Sequence, residues 1–192
     1  MPVFLARWMV MCACLMAPWM GHAAETALPT ASDVQVALQG DLYHVDVTMH
    51  APVPPAIAWD VLLDFDHMTS YQPGLKVSRI VARGPNQLGV HQEGVAHFGP
   101  VSSAFTSERV IRVKPKTEIR STNVGGTIQK MDSIMTLTPE AGGTLLRYHA
   151  EIDPGWIPPL LGPAAMRDST ASSFAAMIRE MERRQGAKPP NP

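Results

Sequence analysis

A chain of 192 residues with 16 basic and 17 acidic side chains carries a net charge of −1. That balance excludes the basic footprint of a nucleic-acid-binding domain and provides no electrostatic hold on anionic lipid. With 45% hydrophobic residues, the length suits one domain with a full-sized core.

Arg7 precedes an uncharged apolar run, Trp8 to Met20, and Gly21-His22-Ala23 places small residues where a signal peptidase reads them. The pattern predicts a signal peptide over 1–23, cleaved near Ala23, and hence a periplasmic or secreted protein. The run is short for a membrane span and Pro18 interrupts it, so a retained anchor is the weaker reading. Cys12 and Cys14 are the chain's two cysteines and both lie in this segment, without a leucine-led lipobox. The expected mature chain therefore has no thiol or disulfide chemistry, and loss of Arg7 takes its charge from −1 to −2.

Residues 24–32 are small and polar and read as a flexible leader to a domain over 33–185. Asp33 to Leu38 allows a strand ending at Gly40-Asp41. Leu42 to His50 alternates, with Tyr43, Val45, Val47 and Met49 on one face, as in a half-buried strand. Ala51-Pro52-Val53-Pro54-Pro55 stops it, because proline cannot donate to a ladder, and the same prolines suit the first turn of a helix. That helix spans Ala56 to Leu63, with Ile57, Trp59, Leu62 and Leu63 apolar. A second short helix, capped by Asp64 or Asp66, runs to about Ser70, and Tyr71-Gln72-Pro73-Gly74 is a turn.

Six strands follow: Leu75–Arg83, Gln87–Phe98, Ser102–Lys114, Thr117–Val124, Thr127–Thr138 and Thr144–Asp153. The turns between them, including Gly125-Gly126, are short enough to require antiparallel hairpins. Leu160 to Arg184 forms one long helix, striped by Ala164, Ala171, Phe174, Ala175, Ile178 and Met181. Gly186 stops it, and 186–192 is a disordered tail. The expected architecture is α+β: a curved seven-stranded antiparallel sheet, two short helices after its first strand and a long C-terminal helix. A curved sheet need not close fully on one helix, and Ala164, Ala165, Ala171, Ala175 and Ala176 would leave room for a cavity.

Histidines and acids share strand faces at His44, Asp46 and His50 and at His91, Glu93 and His97. No helical metal motif fixes their geometry, and a solvated outer sheet face explains them, so no metal and no cofactor is expected. Serines 102, 103, 107, 121 and 133 lie in no nucleophile elbow and read as ordinary sheet composition. No catalytic set is assigned. Arg109 shares its face with the apolar Val101, Phe105, Ile111 and Val113, which favours it as a cavity arginine; a place on the outer face remains the alternative. Tyr148 falls in the inward set with Leu146, Ala150 and Ile152, either as a ligand-orienting hydroxyl or as a core tyrosine. Pro154 to Pro163 is too apolar for a plain loop. It is either a staple packing the helix start onto the sheet, or a lid over the cavity mouth or a patch that touches a membrane transiently through 156–161.

The order of elements resembles the START/Bet v 1-like (SRPBCC) helix-grip superfamily. Its nearest branch is the polyketide cyclase/dehydrase and lipid-transport family, which includes coenzyme Q-binding START-like proteins. Ala51-Pro52, Trp59, Val61-Leu62, Asp64, Met68, Tyr71 and Pro73-Gly74 carry the resemblance. Gly143-Thr144 and Trp156-Ile157-Pro158-Pro159-Leu160 carry it further along the chain. It implies an apolar ligand in the cavity, of lipid or isoprenoid quinone class, without implying a reaction. The expected lining is Trp59, Phe65, Tyr71, Phe105, Arg109, Met131, Met135, Tyr148, Trp156, Phe174 and Ile178. A cyclase or dehydratase acting on a polyketide-like substrate, and an interaction module without ligand, are the alternatives.

Overall fold

The computed structural model describes residues 27–98, 101–153 and 162–187. A 3-10 turn at Ala31–Asp33 leads into β1 (Val34–Gln39) and β2 (Leu42–Ala51). Next come α1 (Pro55–Leu62) and a 3-10 segment, Phe65–Ser70. The strands β3 (Leu75–Gly84), β4 (Gln87–Phe98), β5 (Val101–Lys114), β6 (Glu118–Gly126), β7 (Lys130–Glu140) and β8 (Gly143–Asp153) precede the long helix α2 (Gly162–Ala187).

The strands form one sheet in the order β1-β2-β8-β7-β6-β5-β4-β3. From β3 to β8 it is an antiparallel meander. β2 does not continue into it as a hairpin. The proline run turns the chain off the sheet, and β2 pairs with β8, from Tyr43 opposite Ile152 to Ala51 opposite Thr144. The fully buried Thr144 hydroxyl donates to the Val53 carbonyl at 2.8 Å and pins this corner. α1 and the 3-10 segment therefore carry the chain from β2 to the far edge at β3, across one end of the sheet.

The sheet has eight strands where seven were expected. β1 pairs with β2 from Val34 opposite Val47 to Gln39 opposite Leu42, and Val34 is buried against the core. The ordered domain also starts before Asp33: Leu28 packs on the core and Pro29 is buried. Gly125-Gly126 is not the expected turn but the end of β6, paired with Glu108 and Ser107. Gly126 sits at φ 101 with its Cα against the Thr106 backbone, where a side chain would overlap. The reversal falls on 127–129 instead. Gly186 does not stop α2, which continues to Ala187.

The buried stripe of α1 is Ala58, Val61 and Leu62, continued by Phe65 and Met68. Trp59 lies one residue, or 100°, off that stripe and is only half-buried. Ala171, Phe174, Ala175, Ile178 and Met181 of α2 are buried, as its periodicity requires.

An ion-pair clasp joins the C-terminal turns of α2 to the start of the 3-10 segment. Arg184 donates to Asp64 at 2.6 Å and to Glu180 at 2.7 Å, while Arg183 holds Glu180 through two bonds of 2.7 and 2.8 Å. Asp64 is thus engaged in the clasp and with His67 rather than capping the segment with its side chain. Burial raises the Asp64 pKa, but bonds from His67 and Arg184 outweigh it and hold the carboxyl below its ordinary value. The Arg183 bond is the chief cause that brings Glu180 down from 4.5 to about 2. A carboxyl depressed in the folded state stabilises the fold above its unfolded value and loses that contribution as pH falls. Stability is expected to decline between pH 4.5 and 2 with a Glu180 component. Urea titrations across this range should show a shallower decline for Glu180→Gln, and an unchanged slope would remove Glu180 from the account.

Gly94 controls how closely the strands approach. A Cβ there would lie 2.6 Å from the Gly74 carbonyl oxygen and 2.8 Å from the Phe105 ring. Gly94→Ala is expected to destabilise the domain by about 1–3 kcal/mol through overpacking, measured by urea unfolding.

Candidate functional site

A cavity of about 640 Å³ lies between the sheet and α2. Leu62, Phe65 and Met68 close the end under α1. Phe105, Ile111, Ile119, Met131, Met135 and Ile152 line it from the sheet, and Met166, Phe174 and Met177 from α2. The wall is therefore mainly apolar, in the volume range of small-molecule sites.

Of the expected lining, Phe65, Phe105, Arg109, Met131, Met135, Tyr148 and Phe174 come together here. Trp59, Tyr71 and Ile178 are corrected. Trp59 packs against the core from outside the cavity, and Ile178 is 1% exposed inside the core. Tyr71 donates to the Val61 carbonyl at 3.2 Å, and burial pushes its hydroxyl up to about 12. It lines a separate groove beside Arg179, Glu180 and Arg183. Trp156 and the 156–161 patch lie outside the described residues. The space along α2 does not come from its alanines. Ala165, Ala171 and Ala175 are core residues, and Ser169, Thr170 and Ser173 face the cavity.

Among the described lining residues, Arg109 is the only lysine or arginine. A bulge between β5 and β6 sits beside it: Glu108 pairs with Gly125 and Arg109 with Asn123, leaving Val124 unmatched. Such an extra residue bends the strand locally and re-aims its neighbours. The Arg109 guanidinium donates through Nη2 to the Gln92 side-chain oxygen, lies 5.8 Å over the Phe65 ring, and leaves Nε without a partner. Gln92 in turn donates to the Ser78 hydroxyl at 2.9 Å. Its partner oxygen is neutral, so the charge is solvated but not neutralised. Arg109 is half-buried and lines the cavity. Burial accordingly lowers its pKa, opposed only by the Tyr148 hydroxyl.

Tyr148 meets the edge of Phe174 at 4.9 Å. Burial raises its pKa, while Ser133 and Arg109 act in the opposite sense, so the hydroxyl stays protonated at neutral pH and is a donor. The Ser121 hydroxyl is buried and unpartnered close by on the same wall. The site is a donor-rich patch, Arg109 with Tyr148, Ser121 and Ser133, inside an apolar shell.

Sequence reasoning missed Gln92, Ser107, Ser121 and Ser133 as site residues. The alternation held the signal: Ser107 lies between Phe105 and Arg109 on one face, Ser121 follows Ile119, and Ser133 lies between Met131 and Met135. His97, read with the outer face, lines the cavity at an exposed position and bonds Ser102 at 2.7 Å. On the opposite face, the β2–β8 pairing brings one donor atom each from His44, His149 and Glu151 within 4.8 Å. Those three could hold a metal ion, though Glu151 is bound by Lys130 at 2.7 Å and His149 by Asp46 at 2.8 Å.

A sheet gripping one long helix around a lined cavity defines a helix-grip protein of the START/Bet v 1 superfamily. The chain belongs to the polyketide cyclase / dehydrase and lipid transport family, which matches residues 43–184. Among solved structures, a Thermus thermophilus protein shares 15% identity, with 73% of this chain and 98% of that one covered at a TM-score of 0.64. The Zhui aromatase/cyclase from a Streptomyces species shares 17%, covering 75% and 96% at 0.60. A STAR-related lipid transfer protein from Xanthomonas axonopodis shares 13%, covering 78% and 99% at 0.59. At such identities these likenesses establish the fold. No curated protein matches the chain.

Replacing a half-buried charge that has no anion beside it by an apolar side chain of similar length removes its desolvation cost. Arg109→Met is expected to raise the stability of the ligand-free protein by about 1 kcal/mol or more, read from urea unfolding. A lower midpoint would mean that Arg109 is compensated within the protein.

Proposed function

We propose that this chain is an exported binding protein or carrier that holds an apolar small molecule, of lipid or isoprenoid quinone class, between sheet and α2. The observation that carries the reading is the cavity itself. It holds about 640 Å³ behind a mainly apolar wall, with Arg109, Tyr148, Ser121 and Ser133 among its polar groups on the sheet side. Burial would supply affinity at about 25 cal/mol per Å² of apolar surface removed from water. The patch would orient the ligand. A protein that served only as an interaction module would be expected to fill this space with side chains. Export rests on the 1–23 segment and favours an envelope ligand over cytoplasmic polyketide chemistry.

The alternative, a cyclase or dehydratase, draws support from the convergence of Arg109 and Tyr148 in one cavity. Both groups are held protonated at neutral pH, which suits donation and leaves the patch without a base. His97 and Asp168, the lining residues that could accept a proton, are exposed. Binding without turnover fits this chemistry better.

Native mass spectrometry of protein purified gently from its native host is expected to show a retained lipophilic mass, and N-terminal sequencing to begin at Ala24. Met131→Trp, which fills the cavity, should weaken uptake of a fluorescent lipid analogue at least about tenfold with unchanged circular dichroism. An empty protein that also fails to take up such analogues would refute the carrier reading.

A further inference from the structure

We propose that the ligand's polar head is a single carboxylate, seated on Arg109 with Tyr148 and Ser121 as neutral donors, on an otherwise apolar molecule. This rests on the carrier reading above and narrows its ligand class.

Three observations lead to it. The first is the unmatched charge. Arg109 faces a mainly apolar cavity; among the described residues its hydrogen-bonded partner is the neutral Gln92 oxygen, and its Nε has none. A buried cation normally has an anion beside it, because desolvation is costly otherwise. Among the described residues, Tyr148 is the only ionisable group that acts on it appreciably, and that phenol is protonated. A ligand is the remaining source of the counter-charge.

The second observation is the polarity of the patch. Arg109 has donors only, Tyr148 and Ser121 can donate, and the nearby side-chain acceptor, Gln92 Oε1, is already taken by Arg109. The head must therefore accept hydrogen bonds. An alcohol accepts too, but it is neutral and leaves the Arg109 charge unbalanced. A quinone carbonyl accepts but leaves the positive charge unbalanced.

The third is the count of cations. Arg109 is the only lysine or arginine among the described lining residues. One guanidinium matches a monoanion, and its planar fork suits a carboxylate in particular. A phosphate monoester would bring close to two charges to a wall with one cation. The other polar lining groups, such as Ser107, Ser169, Thr170 and Ser173, are neutral, Asp168 is an acid and His97 is exposed, so none supplies a second fixed cation.

The test uses delipidated full-length protein and equilibrium binding by calorimetry. Palmitate and a polycyclic carboxylic acid represent the two sources of such a head, an acyl chain and a ring system. Each is compared with its methyl ester, and a short-tailed quinone is included. At least one acid is expected to bind about tenfold or more tighter than its own ester, as a charged hydrogen bond requires. Arg109→Gln should bring the acid-to-ester ratio to about twofold or less, and Arg109→Lys should restore part of it. The esters also report that the variants are folded and the cavity open. Esters or the quinone binding wild type as tightly as the acids would overturn the carboxylate assignment and leave the carrier reading standing. So would an acid preference that survives in Arg109→Gln. Binding of none of these probes would overturn both.

Discussion

Hydrogen bonding between β2 and β8 governs the rest of this fold. Once Tyr43 to Ala51 pairs with Ile152 to Thr144, the first hairpin belongs to the same sheet as the meander, yet its outgoing chain lies far from β3. The connection must cross the end of the sheet. The prolines after β2, the buried stripe of α1 and the Thr144 bond to Val53 make that crossing rigid. α2 then packs against both flanks, touching β1, β2 and β4 as well as α1. One helix cannot fill the space that eight strands enclose, and the cavity is what remains.

That space is held open from its edges. The clasp of Asp64, Arg184, Glu180 and Arg183 anchors α2 at one end to the segment that closes the cavity floor. Gly94 lets the Phe105 ring lie close over β4, and the bulge opposite Glu108 and Arg109 breaks the sheet's regularity where its one inward charge emerges. The stabilising contacts lie around the rim, and the costly group lies in the middle. A domain with no role for its interior would have no reason to keep an arginine there, since an apolar residue of that length would pack at lower cost.

The strand and helix pattern was legible because alternation and helical period report directly on which side chains face the core. The same periods placed Phe105, Arg109, Met131, Met135, Tyr148 and Phe174 on the inner side, and the cavity collects all of them. The errors have physical causes. Trp59 has the apolar character of a wall residue, but its angle on α1 turns it away. Tyr71 and Ile178 are apolar enough for a lining, and they face other neighbours. Gly125-Gly126 has turn composition, while its use is to let β6 approach Thr106. Serine hydroxyls suit either face of a sheet, so composition does not single these serines out, and only their position among inward neighbours marks them.

The sequence by itself determined the order and kind of most elements, the inward face of most strands, and the family to which those elements belong. Local sterics, proline and glycine geometry and hydrophobic period act over a few residues, and they can be read from a few residues. Only the tertiary structure decided which strands are neighbours, how much room α2 leaves, and that Arg109 has no acid beside it among the described residues. Those facts depend on residues such as Gln92, Arg109, Ser121 and Tyr148, which lie on four different strands of the sheet. No local pattern encodes the charge balance of a space that exists only once the sheet has closed on its helix.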